Sequence, residues 1–425
     1  MGNLLYLGWM DIFYAIIQIF LGLWWLWLPV FLAVLFIELW VNYLKEKAIK
    51  KINWLLLEVK ISRDIEKTPK AMEQIFSGFY AILTKIKFFG KYWFGRAQPW
   101  LSLEIAGIDG SVYFFIRTPE RFRNLVEAQI HAQYPSAEIS EVLDYAGPLA
   151  NKVPSKTHDI KGVELMLGKD DYLPIRTYIA FEESEKERRV DPMASFLEIL
   201  SKLKAGENIF IQYLIAPTAE KGWREKGQEA INKLTGKKIE VKKTWFGNIY
   251  GGVEEFIKNF FVGIAIYPTW ENPKKEDAKT TAANLSPGEK NIVEAIENKI
   301  SKLAFKTNIR YIYIARSDSF NSANLTAVTG SFRQFNSVNL NAFKGNDDEE
   351  TSIDREIQPF RKRFEFIRKK KFIKRYINRR FVEKTFILNT EELATIYHYP
   401  IFAVEAPTLR RVEAKKAEPP VSLPI

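Results

Sequence analysis

From Ile12 to Ile37 the chain is almost unbroken hydrocarbon, with Gln18 its only strongly polar member and Asp11 and Glu38 at its ends. A helix needs ~20 residues to cross the hydrocarbon core of a bilayer, so this stretch predicts one transmembrane span with room for tilt. Trp24, Trp25 and Trp27 beside Pro29 leave a kinked or re-entrant course open, because tryptophan favours the membrane–water interface. A cleaved signal peptide would begin with a basic region and end at small residues. Residues 1–10 hold no Lys or Arg, and bulky residues run straight through. Lys45, Lys47, Lys50 and Lys51 follow the span, which by the positive-inside rule puts the rest of the chain in the cytoplasm.

Beyond the span the pattern changes. Val41 to Ile52 continues as helix, and Trp54 to Ile61 reads as a strand. Thr68-Pro69 supplies a cap and an N1 proline for a helix with Met72, Ile75, Phe76, Phe79, Leu83 and Ile86 at helical spacing. Trp100 to Ala106 and Ser111 to Arg117 form a hairpin about Asp109-Gly110. Thr118-Pro119 starts a helix through Gln133, and Ala137 to Leu143 is another strand. That order is most of a ferredoxin-like α/β sandwich, with the helix at Met72 as the missing part. Asp144 to Asp170 reads as loop.

A second alternation follows. Its expected strands are Ile175–Phe181, Asn208–Ala216, Phe260–Tyr267, Ile309–Ala315 and Ser337–Phe343. Helices are expected from Asp191-Pro192 to Lys204, over Trp223–Leu234, from Ser286-Pro287 to Phe305, and over Asn321–Phe335. The expected fold class is α+β: an N-terminal transmembrane helix, then tandem ferredoxin-like α/β sandwich domains. The expected divisions are 1–52 (anchor and juxtamembrane helix), 53–145 (first domain), 171–345 (second, or double, domain), 346–384 (acidic loop and basic segment) and 385–425 (a linking helix and proline-rich tail).

The last forty residues open with a β-type run from Thr385 to Leu388, after which Asn389 and Glu392 have capping-box spacing. Glu391 and Glu392 suit the positive end of the helix dipole, Leu393, Ile396 and Tyr397 share a face, and Pro400 ends the helix. The string Leu388-Asn-Thr-Glu-Glu-Leu-Ala-Thr-Ile-Tyr-His-Tyr-Pro400 resembles a segment of conjugative and type IV secretion-like ATPases. There it joins an N-terminal module to the P-loop motor. Glu391, Glu392, Leu393, Ala394, His398 and Pro400 carry the match over about fifteen residues, and residues 411–424 are similar to the basic, proline-containing run that follows it. Residues 55–143 resemble the membrane-proximal part of the same group more diffusely. The resemblance implies a membrane-anchoring, assembly module, with the P-loop subunit as partner and Glu391, Glu392, Leu393, Ile396, Tyr397, His398 and Pro400 as its docking residues.

Charge adds a second candidate. Lys plus Arg number 62 against 51 Asp plus Glu, a net +11, which favours nucleic acid, an anionic membrane surface or an acidic partner. Eleven of the twenty residues 361–380 are basic: Arg361, Lys362, Arg363, Arg368, Lys369, Lys370, Lys371, Lys374, Arg375, Arg379 and Arg380. Phe360, Phe364, Ile367, Ile373, Tyr376 and Ile377 interleave with them. Such a helix can lie on anionic lipid, follow a nucleic-acid backbone, or pack by its aromatics with its charges in water. The first nine of these cations are the candidate polyanion or lipid contacts. The run Asp347-Asp348-Glu349-Glu350 reads as a solvated loop.

Signals of chemistry are weak. With no cysteine, disulfides and thiolate chemistry are excluded, and His131, His158 and His398 have no metal-ligand spacing. Gly236-Lys237-Lys238 and Gly288-Glu289-Lys290 lack the rest of a P-loop, and no nucleophile elbow or His-Glu-x-x-His occurs. The expectation is a non-catalytic, single-pass, homo-oligomeric module of a transfer ATPase complex that needs no cofactor. The alternative is a membrane-tethered nucleic-acid-binding protein that uses the basic segment.

Overall fold

The body of the molecule is organised around one open, mostly antiparallel sheet whose central strands are buried on both faces, and it is entered from an apolar N-terminal helix. The computed structural model describes residues 14, 17–18, 21–61, 67–184, 191–236, 285–347, 350–351, 361–382 and 384–400. Helix α1, Trp24–Lys50, runs through Pro29, and its side chains from Trp24 to Trp40 are largely exposed. It is long and apolar enough to cross a membrane. From Trp24 to Tyr43 it offers about 30 Å of apolar helix, close to the thickness of a bilayer's hydrocarbon core.

Three residues later β1 begins. The first half of the sheet is built from β1 (Trp54–Lys60), α2 (Pro69–Phe79), β2 (Leu101–Ile108), β3 (Ser111–Pro119), α3 (Arg123–Gln133) and β4 (Glu138–Val142). Its strand order is β4-β1-β3-β2, every pairing antiparallel. Asp109 and Gly110 both take positive φ at the β2–β3 turn, which suits a right-twisted hairpin.

The second half uses β5 (His158–Leu167), α4 (Tyr178–Ser184), α5 (Ala194–Ser201), β6 (Asn208–Pro217), α6 (Gly222–Thr235), α7 (Pro287–Ser301), β7 (Ala304–Arg316), α8 (Ala323–Arg333) and β8 (Phe343–Gly345). Its order is β6-β7-β5-β8, and β2 pairs antiparallel with β6 to make the sheet continuous. The chain closes with α9 (Arg361–Asn378), β9 (Phe386–Asn389) and α10 (Thr390–Ile396). Strand β9 pairs with Ala304–Thr307 at the start of β7, on the side that β5 occupies further along.

Several expected elements differ. Ile175–Phe181 is not a strand; it leads into α4. The strand lies instead at β5, inside the expected loop 144–170, where Gly162 and the charged Asp159, Lys161 and Glu164 interrupt the apolar alternation. The helix from Pro69 ends at Phe79, with a 3-10 turn to Ile82, rather than reaching Ile86. Thr118 and Pro119 finish β3, and the next helix starts only at Arg123. The strand expected over Ser337–Phe343 is only Phe343–Gly345. The strand expected at 260–267, the tail 401–425, and residues 348–349 of the acidic run lie outside the described residues.

The sheet has two unlike faces. One carries Leu57, Val59, Leu103, Ile105, Ile116, Ile211, Tyr213, Ile309 and Tyr311 against Phe76, Phe79, Leu197, Val328, Phe332 and Leu393 of the covering helices, in one apolar core. The other carries Leu56, Phe115, Phe210, Ile312 and Ile314, covered by Phe372, Ile373 and Tyr376 of α9.

Candidate functional site

The second face carries a row of polar residues. Register places Glu104 beside Gln212, Gln212 beside Arg310, and Arg310 beside Glu164, on four neighbouring strands. All four are buried. Charges in such a place need partners, because burial without them costs several kcal/mol each, on the order of the desolvation penalty.

Helix α9 brings most of the partners. Directly after it Arg379 turns back at φ 48° and enters the sheet with its side chain wholly buried. Its Nε and Nη2 donate to the two Glu104 oxygens at 2.9 and 3.1 Å. Nη1 and Nη2 donate to Asp144, and Nη1 also to the Ile377 carbonyl at 2.9 Å. All five guanidinium donors are thus used. Glu104 also accepts from Ser102, Gln212 and the Tyr145 hydroxyl. With the Tyr145 proton on Glu104, the Tyr376 hydroxyl donates to Tyr145. The Tyr145 ring stacks on Phe115 and Phe210 at 5.0 and 5.1 Å.

Burial alone would raise the Glu104 carboxyl, but the attraction of Arg379 and the donated hydrogen bonds hold it below the usual carboxylate range. Arg117, half-buried beside Arg379, is lowered to about 10, first by burial and then by that neighbouring cation. Arg310 is lowered by burial against the pull of Glu164. Its Nη2 donates to Glu164 and to the Arg380 carbonyl, while Nε and Nη1 have no hydrogen-bond partner among the described residues. The row is closed over by α9, so its chemistry is the positioning of that helix.

The expected docking residues lie elsewhere and face inward. The Asn389–Glu392 capping box forms: Glu392 N donates to Asn389 Oδ1 at 2.8 Å and Asn389 N to Glu392 Oε2 at 2.9 Å. Yet Glu391, Glu392, Leu393, Ile396, Tyr397 and His398 are all buried, and Pro400 is half-buried. Tyr397 meets Phe114 and Tyr213. Glu392 binds Lys299 with both side chains wholly buried, and here burial outweighs Lys299 and raises the carboxyl. Lys302 joins Glu391 of α10 to Glu73 of α2. The two nitrogens of His398 lie 2.8 Å from the Ala394 carbonyl and from Asp191. These side chains are therefore packed in the chain's own core. Helix α10 packs on α2 and ties the last described residues to the first half.

The nine candidate cations are placed unevenly along α9. Arg361, Lys362, Arg363, Lys370, Lys371 and Lys374 are exposed, while Arg368, Lys369 and Arg375 are half-buried. Arg361 pairs with Glu365, Lys369 with Asp159, and Arg368 donates to the Asp347 carbonyl. Phe364, Phe366 and Ile367 are exposed, so the first half of α9 has the apolar and basic character of a surface-binding helix while the second half is core.

Sequence reasoning missed two things. Arg379 was one cation among eleven, with nothing in its neighbours to mark it as the buried one. The run Phe88-Phe-Gly-Lys-Tyr-Trp-Phe94 sets five aromatics about one lysine, and it lies beyond the helical stripe that ends at Ile86. Its Phe88, Phe89, Trp93 and Phe94 are exposed. Among the described residues no group of His, Asp and Glu could hold a metal ion.

Comparison with known families gives one match. The model of the family described as "Domain of unknown function (DUF8128)" matches residues 43–411, and the chain belongs to that family. No curated protein matches the chain.

Proposed function

We propose that this DUF8128 member is a membrane-anchored assembly module. In this reading α1 crosses the membrane, and two ferredoxin-like halves stand side by side in the cytoplasm. The observation that carries it is an exposed apolar helix fastened to the body. Glu46 of α1 pairs with Arg380, and Ile49 packs with Trp54, Trp100, Leu214 and Phe381. An anchor so joined fixes the orientation of the body relative to the bilayer. The strand orders support the two-halves reading: β4-β1-β3-β2 follows a strand-helix-strand-strand-helix-strand path, and β8-β5-β7-β6 repeats that spatial order with α6 and α7 added between β6 and β7. Lys45, Lys47, Lys50 and Lys51 support the cytoplasmic side.

The larger machine is the type IV secretion-like ATPase complex that the Leu388–Pro400 resemblance implies, and this chain is its non-catalytic part. Because that segment is core, a P-loop subunit would be held through residues 401–425 rather than through Leu393 and Tyr397. Two measurements test the proposal. The full chain should resist carbonate extraction, and a reporter active only outside the cytoplasm should stay silent when fused after Ile425. Removing residues 401–425 should abolish co-purification with a P-loop ATPase while the body stays folded. Extraction by carbonate refutes the anchor. Unchanged capture of the ATPase refutes the tail. Strongly salt-dependent binding of single strands, lost on neutralising α9, would instead favour the nucleic-acid alternative.

A further inference from the structure

Soluble proteins rarely expose contiguous aromatic side chains without a use for them. Residues 85–96 read Lys-Ile-Lys-Phe-Phe-Gly-Lys-Tyr-Trp-Phe-Gly-Arg, and Phe88–Tyr92 is a short helix. Phe88, Phe89, Trp93 and Phe94 are each 66–68% exposed. They gather on one another rather than on the body: Phe88 lies 4.5 Å from Tyr92 and Phe89 5.9 Å from Trp93, between ring centroids. Lys91 sits over the Tyr92 ring and Arg96 over Phe94.

Position gives this cluster its meaning. Gly95, at φ +59°, lies against the backbone of α1 so closely that an added Cβ would come within 2.3 Å of the Leu44 carbonyl. Leu44 is where α1 passes from apolar to basic, just before Lys45. If the span starts at Trp24, this point is about 30 Å along it, at the level of the lipid headgroups. Tryptophan, other aromatics and lysine are the residues that favour that level. Beside the cluster, a cleft of about 600 Å³ separates the end of α1 from residues 96–99 and 119–121. Its polar lining is Lys51, Arg96, Arg121, Asn53, Thr84 and Glu120, three cations to one carboxylate. Glu120 accepts from the Asn53 amide side chain at 3.2 Å.

We infer that residues 85–96 are a second membrane contact. Phe88, Phe89, Trp93 and Phe94 enter the interface of the bilayer that α1 crosses, and the adjacent cleft takes the phosphate of an anionic phospholipid. The inference rests on the proposed span, and it makes the body lie against the membrane instead of swinging below it. The chain has no cysteine, so single substitutions give unique labelling sites.

Full-length Phe89→Cys, Val30→Cys and Val338→Cys would each carry a nitroxide and be reconstituted in phosphatidylcholine vesicles with phosphatidylglycerol. The spin at 89 should relax more with oxygen than with a water-soluble nickel chelate, to an interfacial depth. The spin at 338, which is 93% exposed, should read as water. If 30 reads as hydrocarbon and 89 as water, the second contact is refuted and the span stands. If 30 also reads as water, the span itself is refuted. A label at 89 shielded from both reagents means a protein cover, which also refutes the inference. For the cleft, Arg96→Gln and Arg121→Gln should each lower the phosphatidylglycerol retained per chain after detergent exchange. The expected drop is about fivefold, the factor one basic residue contributes near an anionic surface. Unchanged retention refutes the headgroup site.

Discussion

The two faces of the sheet solve the same problem by opposite means. On one, Leu103, Ile105, Ile211, Tyr213 and Tyr311 meet helices chiefly through apolar contact, with the Tyr311 hydroxyl also bonded to Thr329, so affinity grows with area and many shapes would serve. On the other, Glu104, Gln212, Arg310 and Glu164 leave a polar row that needs correctly placed partners: Arg379 after α9 pairs with Glu104, and the Tyr376 and Arg380 carbonyls accept from Gln212 and Arg310. The apolar face supplies cohesion; the polar face dictates where one particular helix must lie. That difference bears on function, because α9 is the helix with an exposed aromatic and basic half and its end is tied to α1 through Arg380 and Glu46.

The sharpest way to break the comparison is to remove one member of the charged pair. Arg379→Met leaves Glu104 buried and unpaired, and should lower stability by ~3–5 kcal/mol in urea denaturation. Phe76→Ala on the apolar face should cost a similar ~3–5 kcal/mol. The faces then part company. The double variant Arg379→Met/Glu104→Leu should recover part of the loss, since it removes the buried unpaired charge although Asp144, Gln212 and Tyr145 each lose a partner, whereas no second change of that kind restores Phe76→Ala. Absence of recovery would mean the row acts through shape rather than charge. The pH response has a defined sign. The lowered Glu104 carboxyl contributes stability above its ordinary range and loses it as pH falls through its lowered value. Acidification below about pH 4 should therefore destabilise the wild type more steeply than the double variant. Glu392, raised by burial, works in the opposite sense, losing stability as pH rises from the ordinary carboxylate range through its raised value.

Gly162→Ala tests the seat of α9 with a smaller effect. A Cβ there would meet the Phe372 ring within 2.5 Å, so the ring or β5 must move. The expected cost is ~1–3 kcal/mol, with faster amide exchange in α9 than in α2. Uniform exchange would show that the strap does not open separately. Asn389→Ala, at the cap of α10, should cost ~1 kcal/mol and leave α9 unaffected, as measured by the same exchange experiment.

What the sequence made legible follows the same division. Over Trp100–Ala106 and Ser111–Arg117 the strands and their hairpin turn were readable, and each strand runs two residues further than expected. The capping box at Asn389 was equally plain, because it is a local pattern with a local bond. β5 was missed because its inward positions on the polar face are Gly162 and Glu164, whose fitness comes from Phe372 and Arg310, 210 and 146 residues away in sequence. The apolar stripe Leu393, Ile396 and Tyr397 was visible too, but a stripe shows only that a helix face will be covered. That the cover comes from Phe114 and Tyr213 of the same chain could not be read from it.

The smallest expected effect on stability isolates the outer side of α9. Lys362, Arg363 and Lys374 are exposed, and exposed charges of this sort contribute little to folding. Replacing all three with Gln should change stability by less than ~0.5 kcal/mol, unlike any change to Arg379. If the outer side serves an anionic surface, the same variant should bind phosphatidylglycerol vesicles clearly more weakly at low salt. The difference should fade as salt rises and the wild type itself lets go. The variant keeps Lys369 on Asp159 and Arg379 on Glu104, so the helix stays seated and only its charge toward solvent changes. Vesicle binding equal to wild type at low salt would leave α9 as a strap whose cations serve solvation alone. A large loss of stability would mean the outer cations belong to the charged row after all, and the division between the two sides of the helix would fall.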